Sequence, residues 1–383
     1  MHPRLRAGLI ALILVCEFGT VVLRPSPAAG SGQWTCGWHA TDTTGLVSSL
    51  AFDPFPPPFF RGYCLYIPST YSATGSAVPL IVMLHGCLED PESFAGGTRM
   101  NELAESEHFL VLYPREDASS NIAYCWNWFD SANQHRKAEA AAIADMVLMV
   151  EEKYNVDKHR VYVAGMSAGG AMASNMASCY AGTFAAAAVH SGFEYEAATS
   201  LAEAMIMLSS ESGDDTHAFS FFGVHGDQSG TAGSEASDID PNTAGHDAYE
   251  CSGKKQLLMP VIVIHGSNDR LVRAIHANRT IRTFLKMNDW GDDGVDNASV
   301  PSNPTAVERK NVPDGRSYTV TQYTYSGQVL REQIKVDEMH NLNTASLDEG
   351  HAWSGGDSEY PFNDPKGPDA SRIIWEFFKL HSR

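Results

Sequence analysis

The segment that most restricts this chain runs from Val161 to Gly169: a β-branched stretch, Val161-Tyr162-Val163-Ala164, leads straight into Gly165-Met166-Ser167-Ala168-Gly169. Small residues follow from Gly169 to Tyr180 with helical character. A strand that turns sharply into a helix brings chain segments together so closely that the positions two before and two after the serine must be glycine or very small. The pentapeptide alone is a weak signal, whereas its placement between strand and helix is a strong one. In that setting the Ser167 hydroxyl stands above a sheet edge, at a helix N-terminus that favours developing negative charge.

The surrounding pattern agrees. Leu80 to Leu84 is a continuous apolar run ending at His85-Gly86, as suits a strand buried on both faces. Further strands are expected at Phe109 to Tyr113, Arg160 to Ala164, Phe184 to Val189, Val261 to Ile264, Tyr318 to Tyr325 and Gln333 to Val336. Helices are expected at Ala138 to Tyr154, Gly169 to Tyr180 and Ile373 to Leu380. Strands alternating with helices give an α/β fold: a mostly parallel central sheet with helices on both faces. No repeat or Ser/Thr/Pro linker divides the chain, so 30–383 reads as one catalytic domain. The polar stretch Ser191 to Met259 is longer than a connection needs and reads as a lid insertion.

Residues 1–29 read as a signal peptide, with Arg4 and Arg6, an apolar run from Leu9 to Cys16, and a small-residue cleavage region ending at Ala29. An uncleaved anchor is the alternative, although Glu17 interrupts a run already short for about 30 Å of hydrocarbon. The expected location is therefore outside the cytoplasm, secreted or periplasmic. Beyond residue 29 six cysteines remain, an even number that suits disulfides in an exported chain. Sequence alone does not choose among their pairings; nearness and topology favour Cys36 with Cys64, Cys87 with Cys125, and Cys179 with Cys251.

Composition excludes several functions. With 46 acidic against 27 basic residues the chain has a net charge of −19, which opposes nucleic-acid binding. Losing the three Arg and one Glu of residues 1–29 takes that charge to −21. No Lys or Arg occurs from Val161 to Gly253, while twelve acids lie between Glu194 and Glu250, which places the acidity on the expected lid. Such a lid would disfavour anionic substrates and help expel an acidic product. No zinc pattern appears, and Asp289, Asp292, Asp293 and Asp296 fail the spacing of a calcium loop and read as a solvated acidic turn.

A serine at its free pKa needs a base, and the base needs an acid to orient it. Asp269, just past the strand Val261 to Ile264, is the candidate acid. For the base, His351 in Gly350-His351-Ala352-Trp353-Ser354-Gly355-Gly356 is preferred, and His340, nearer the end of the last strand, is its rival. Two N–H donors are needed for an oxyanion: the backbone N–H of Ala168, and that of Cys87 in His85-Gly86-Cys87. His85 and His265, each ending a strand before glycine, would shape those turns. Trp126, Trp128 and Trp353 either line an apolar acyl pocket or pack in the core.

These blocks, together with Leu84-His85-Gly86-Cys87, Cys125-Trp126-Asn127-Trp128 and His265-Gly266-Ser267-Asn268-Asp269, resemble esterases of the poly(3-hydroxybutyrate) depolymerase family, relatives of feruloyl and acetylxylan esterases in the α/β-hydrolase superfamily. The resemblance spans about residues 60 to 380. It implies an α/β-hydrolase fold, a Ser167–Asp269–His351 triad, oxyanion donors at Cys87 and Ala168, and no cofactor. The implied activity is hydrolysis of carboxylic esters: polyhydroxyalkanoate polymer or oligomers, with feruloyl or acetylated polysaccharide esters as the alternative. No nucleic-acid or stable membrane partner is implied, and a monomer is expected. Two features depart from the family pattern: Asn341 to Gly350 intervene between His340 and His351, and Ser191 to Met259 is long.

Overall fold

The computed structural model describes residues 31–41, 59–211, 239–341 and 350–383. The expected signal peptide, part of the expected lid, and most of the segment between His340 and His351 lie outside them. The described strands are β1 (Gln33–Thr41), β2 (Phe59–Ile67), β3 (Val78–Leu84), β4 (Leu110–Pro114), β5 (Val156–Met166), β6 (Ala186–His190), β7 (Val261–Gly266), β8 (Ala306–Asn311), β9 (Ser317–Tyr325), β10 (Gln328–Val336), β11 (Trp353–Ser354) and β12 (Asn363–Asp364). The helices are α1 (Pro91–Thr98), α2 (Met100–Glu107), α3 (Ala138–Lys153), α4 (Ala168–Cys179), α5 (Leu201–Glu211), α6 (Pro241–Cys251), α7 (Ile275–Asp293) and α8 (Ala370–Phe378).

Ten strands form one sheet in the order β1-β2-β4-β3-β5-β6-β7-β10-β9-β8. From β4 to β10 neighbouring strands are parallel. Antiparallel strands flank them on both sides. Two-sided burial explains the unbroken apolar runs. In β3, Leu80, Val82 and Leu84 face one core, while Ile81 and Met83 face the other. In β5, Val161 and Val163 share the first core, and Tyr162, Ala164 and Met166 the second. Strand periodicity thus divides each run between α3, α4 and α7 on one side and α1, α2 and α8 on the other.

Helix α4 is buried all along its length. A helix rich in small residues can lie close to the sheet and to its helical neighbours, and most of this stretch is Ala, Gly and Ser.

Two expectations need correction. The polar stretch read as a lid contains α5 and α6, and Glu194, counted among its acids, is buried against His276 and Arg279 instead of lying on a solvated surface. The acidic turn is the end of α7 and the loop after it, where Asp293 and Asp296 are exposed as expected but Asp289 is not. Asp289 is 2% exposed and accepts hydrogen bonds from the Ala298 and Val300 N–H groups, so it anchors that loop instead of facing water.

The three disulfides join the pairs favoured by nearness: Cys36–Cys64, Cys87–Cys125 and Cys179–Cys251. Such bonds suit an oxidising compartment. Among the described residues no helix is long and apolar enough to cross a membrane. Cys179–Cys251 closes the longest loop, a separation of 72 residues, and ties α4 to α6. Replacing both cysteines with serine should cost about 2–4 kcal/mol of stability, measured by denaturant unfolding; an unchanged midpoint would show that the cross-link constrains little.

Candidate active site

The ends of β3, β5, β6 and β7 lie along one edge of the sheet, because these strands are parallel neighbours. Side chains just past them therefore converge. Ser167 joins β5 to α4 with φ 56° and ψ −123°, a backbone state that a non-glycine residue occupies only under strain. Its N–H donates to the His190 carbonyl at the end of β6 at 2.9 Å. The flanking glycines are sterically required: a Cβ on Gly165 would lie 2.2 Å from the Gly169 oxygen, and one on Gly169 would lie 2.1 Å from the Leu84 oxygen.

Asp269 follows β7 and is buried. One carboxylate oxygen, Oδ1, accepts from the N–H groups of Leu271 (3.0 Å) and Val272 (2.8 Å). The other, Oδ2, accepts from His351 Nδ1 at 2.8 Å, with His265 Nε2 3.4 Å away. Burial pushes the Asp269 carboxyl up, but the charge and hydrogen bonds of His351 and His265 outweigh it and hold the group well below the usual carboxylate range. It is therefore an anion at neutral pH. With Nδ1 of His351 donating to that anion, Nε2 is the ring nitrogen able to take a proton.

Gly350, at φ 88°, has to be glycine for His351 to come so near. A Cβ there would fall 2.4 Å from the Asp269 backbone nitrogen. Ser167 and His351 line one cavity, together with Gly86, Cys87 and Ala168. His340 is not among the residues lining that cavity, and its N–H donates to Asp364 Oδ2 at 2.9 Å.

The Cys87–Cys125 bond pins the loop after β3 to the loop that carries Trp126 and Trp128. Of the three tryptophans, only Trp128 lines the cavity, stacked on Phe193 with ring centroids 4.7 Å apart. Trp126 packs against the His85 ring and Trp353 stacks on the His190 ring, both 1% exposed and absent from the cavity wall. Both belong to the buried core instead, Trp126 on one face of the sheet and Trp353 on the other. Phe129, Phe193, Met205 and Leu271 make the remaining wall largely apolar.

The two strand-ending histidines hold their turns as expected. His85 Nδ1 donates to the Gly86 carbonyl (2.8 Å), and its Nε2 accepts from the Glu116 N–H (3.1 Å). Burial lowers its pKa to about 4, so the ring stays neutral and can play both parts. His265 Nε2 donates to the Val272 carbonyl at 2.7 Å.

Sequence reasoning passed over two residues here. His190 offers its carbonyl to Ser167 and its Nε2 to the Ser354 N–H, so it links the serine turn to the His351 loop. Glu89, in the cavity wall, accepts from the Gly86 N–H at 2.8 Å. No motif marks either; only the spacing of Glu89 three residues after Gly86 hints at a turn contact.

Residues 61–225 match the family model described as esterase PHB depolymerase. The chain is 27% identical over 278 residues to poly(3-hydroxyalkanoate) depolymerase C of Paucimonas lemoignei, covering 72% of this chain and 59% of that protein. It is 37% identical over 161 residues to feruloyl esterase B of Neurospora crassa, covering 41% and 53% of the two. The chain thus spans somewhat more than half the length of these curated relatives. Its fold matches that of an acetyl xylan esterase from Aspergillus awamori with a TM-score of 0.56 at 18% identity, over 90% of this chain and 99% of that one. The fold is the α/β-hydrolase fold.

Proposed function

We propose that this chain, which carries an esterase PHB depolymerase domain over residues 61–225, is a secreted serine esterase. Ser167 Oγ attacks the ester carbonyl carbon while His351 Nε2 takes the hydroxyl proton. The N–H groups of Cys87 and Ala168 receive the charge that develops on the carbonyl oxygen. As the carbon–oxygen bond to the alcohol breaks, His351 returns its proton to the departing oxygen, and an acyl-enzyme remains. Water then repeats the sequence, releasing the acid and restoring Ser167. Asp269 orients the imidazole and stabilises its charged form.

The observation that carries this reading is the buried His351–Asp269 pair opening onto the same cavity as a serine held at φ 56°. The apolar wall built from Trp128, Phe193 and Met205 suits an aliphatic acyl group, and the Paucimonas lemoignei relative is named as a depolymerase of poly(3-hydroxyalkanoate). The substrate class proposed is therefore a 3-hydroxyalkanoate polyester or its oligomers.

A panel of poly(3-hydroxybutyrate) film, hydroxybutyrate oligomers, methyl ferulate and acetylated xylan tests it. Oligomers should be cleaved with kcat/KM about tenfold or more above that of methyl ferulate, on the order of the discrimination a shaped apolar pocket provides. The reverse order would replace the polyester by a feruloyl ester and leave the serine chemistry standing; activity only on the xylan would assign an acetyl ester.

A further inference from the structure

The loop that ends β3 is held more firmly than a surface turn requires. Gly86 is secured on both sides: its N–H donates to Glu89 Oε2 (2.8 Å), and its carbonyl accepts from His85 Nδ1 (2.8 Å). The Gly86 carbonyl and the Cys87 N–H belong to one planar peptide, so fixing the first fixes the direction of the second. Gly86 also lies against the serine, since a Cβ built on it would sit 3.5 Å from the Ser167 Cβ.

Glu89 itself is unusual. It is 4% exposed, lines the catalytic cavity, and has no Lys or Arg within ion-pair distance among the described residues. The charged and titratable groups around it are Asp90 on its own turn, His351 from the cavity side, and Glu92, Arg115, Tyr124, Glu359 and Tyr360 along the outer groove. Arg115 is engaged by Glu92. A buried carboxyl beside another acid, with one N–H donor and no Lys or Arg paired to it, favours its neutral form.

We propose that Glu89 is a positioning residue for the oxyanion site, acting as an uncharged acid that holds the Gly86–Cys87 peptide and switching the site off when it ionises. Burial pushes its pKa up to about 8, in the same sense as the geometry. A carboxyl with a raised pKa is neutral below that value and an anion above it. As pH rises through it, a negative charge enters the cavity wall at the Gly86 N–H, beside the peptide that carries the Cys87 N–H. Through its contact with the Gly86 N–H that charge opposes the one developing on the substrate oxygen, in a setting of low dielectric.

The inference rests on the esterase reading above, and one experiment separates the two. Hydrolysis of methyl butyrate is followed by titrating the acid released, from pH 6 to pH 9.5, for the parent enzyme, Glu89→Gln and Glu89→Ala. The alanine variant should lose about tenfold in kcat with KM little changed, because a loosened oxyanion donor acts on the transition state. The glutamine variant should recover most of that loss, since its amide oxygen still accepts from Gly86, and should lack the alkaline fall centred near pH 8 that the parent shows. An alkaline fall unchanged in Glu89→Gln, or parental kcat in Glu89→Ala, would overturn the role of Glu89 while the parent still turned over. A parent that cleaved no ester would instead remove the esterase reading.

Discussion

Ser167→Ala is expected to abolish hydrolysis of a short p-nitrophenyl ester, with kcat falling by about 10⁴- to 10⁶-fold. The size follows from the mechanism proposed. Without Oγ no acyl-enzyme can form, and only direct attack by water in an otherwise intact site remains. The fold should survive, because the strain at φ 56° is set by the Ser167 N–H bond to His190 and by the packing of Gly165 and Gly169, none of which involves the hydroxyl. Labelling by a fluorophosphonate should disappear along with turnover. Activity above about one per cent of the parent would exclude Ser167 as the nucleophile, being far more than the residual rate of triad-deficient hydrolases. An unchanged melting temperature would show that the loss is chemical.

The central sheet was legible because its strands are apolar on both faces and short. Runs such as Leu80 to Leu84 and Val261 to Ile264 correspond to β3 and β7 within a few residues. Elements at the sheet's edges were not. Strand β8, Ala-Val-Glu-Arg-Lys-Asn, is mostly exposed and carries no burial pattern to read. Helix α7 was missed although Ala277, Ile281, Phe284 and Met287 recur at helical spacing, because Arg, Lys and Asn between them dilute the apolar signal. At the candidate site, the residues that motifs mark, Ser167, Asp269 and His351, were named from their strand and glycine context. His190 and Glu89 escaped because their roles depend on hydrogen bonds to backbone groups distant in sequence or hidden in a turn. Backbone partners leave no trace in residue type. The same reasoning explains the tryptophans: an aromatic residue near a motif has the same composition whether it faces the cavity, as Trp128 does, or packs in the core, as Trp126 and Trp353 do.

Asp269→Asn tests the second arm of the mechanism and should lower kcat by about 10⁴-fold with KM changed little. The wild-type carboxylate accepts on both oxygens: Oδ1 from the Leu271 and Val272 amides, Oδ2 from His351 Nδ1. Asparagine has one oxygen and one NH₂, so it cannot serve both sides. Two backbone donors against one ring nitrogen will turn its oxygen toward Leu271 and Val272, which presents the NH₂ to His351. Nδ1 must then accept, the ring proton moves to Nε2, and the nitrogen that should take the Ser167 proton is already occupied. Because side-chain volume is preserved, the cavity and substrate affinity should persist, and the damage should fall on kcat. The acid limb offers an independent check. Asp269 has a pKa below its unfolded value, so it contributes stability at pH above the ordinary carboxylate range and loses it as pH falls toward its folded pKa. The asparagine variant should lack that contribution, and the difference in its melting temperature from the parent should shrink on acidification. A variant with kcat within tenfold of the parent would mean that another group orients His351; one with the rate loss but an unchanged pH dependence of stability would leave the orienting role in place and refute the ionisation assigned to Asp269.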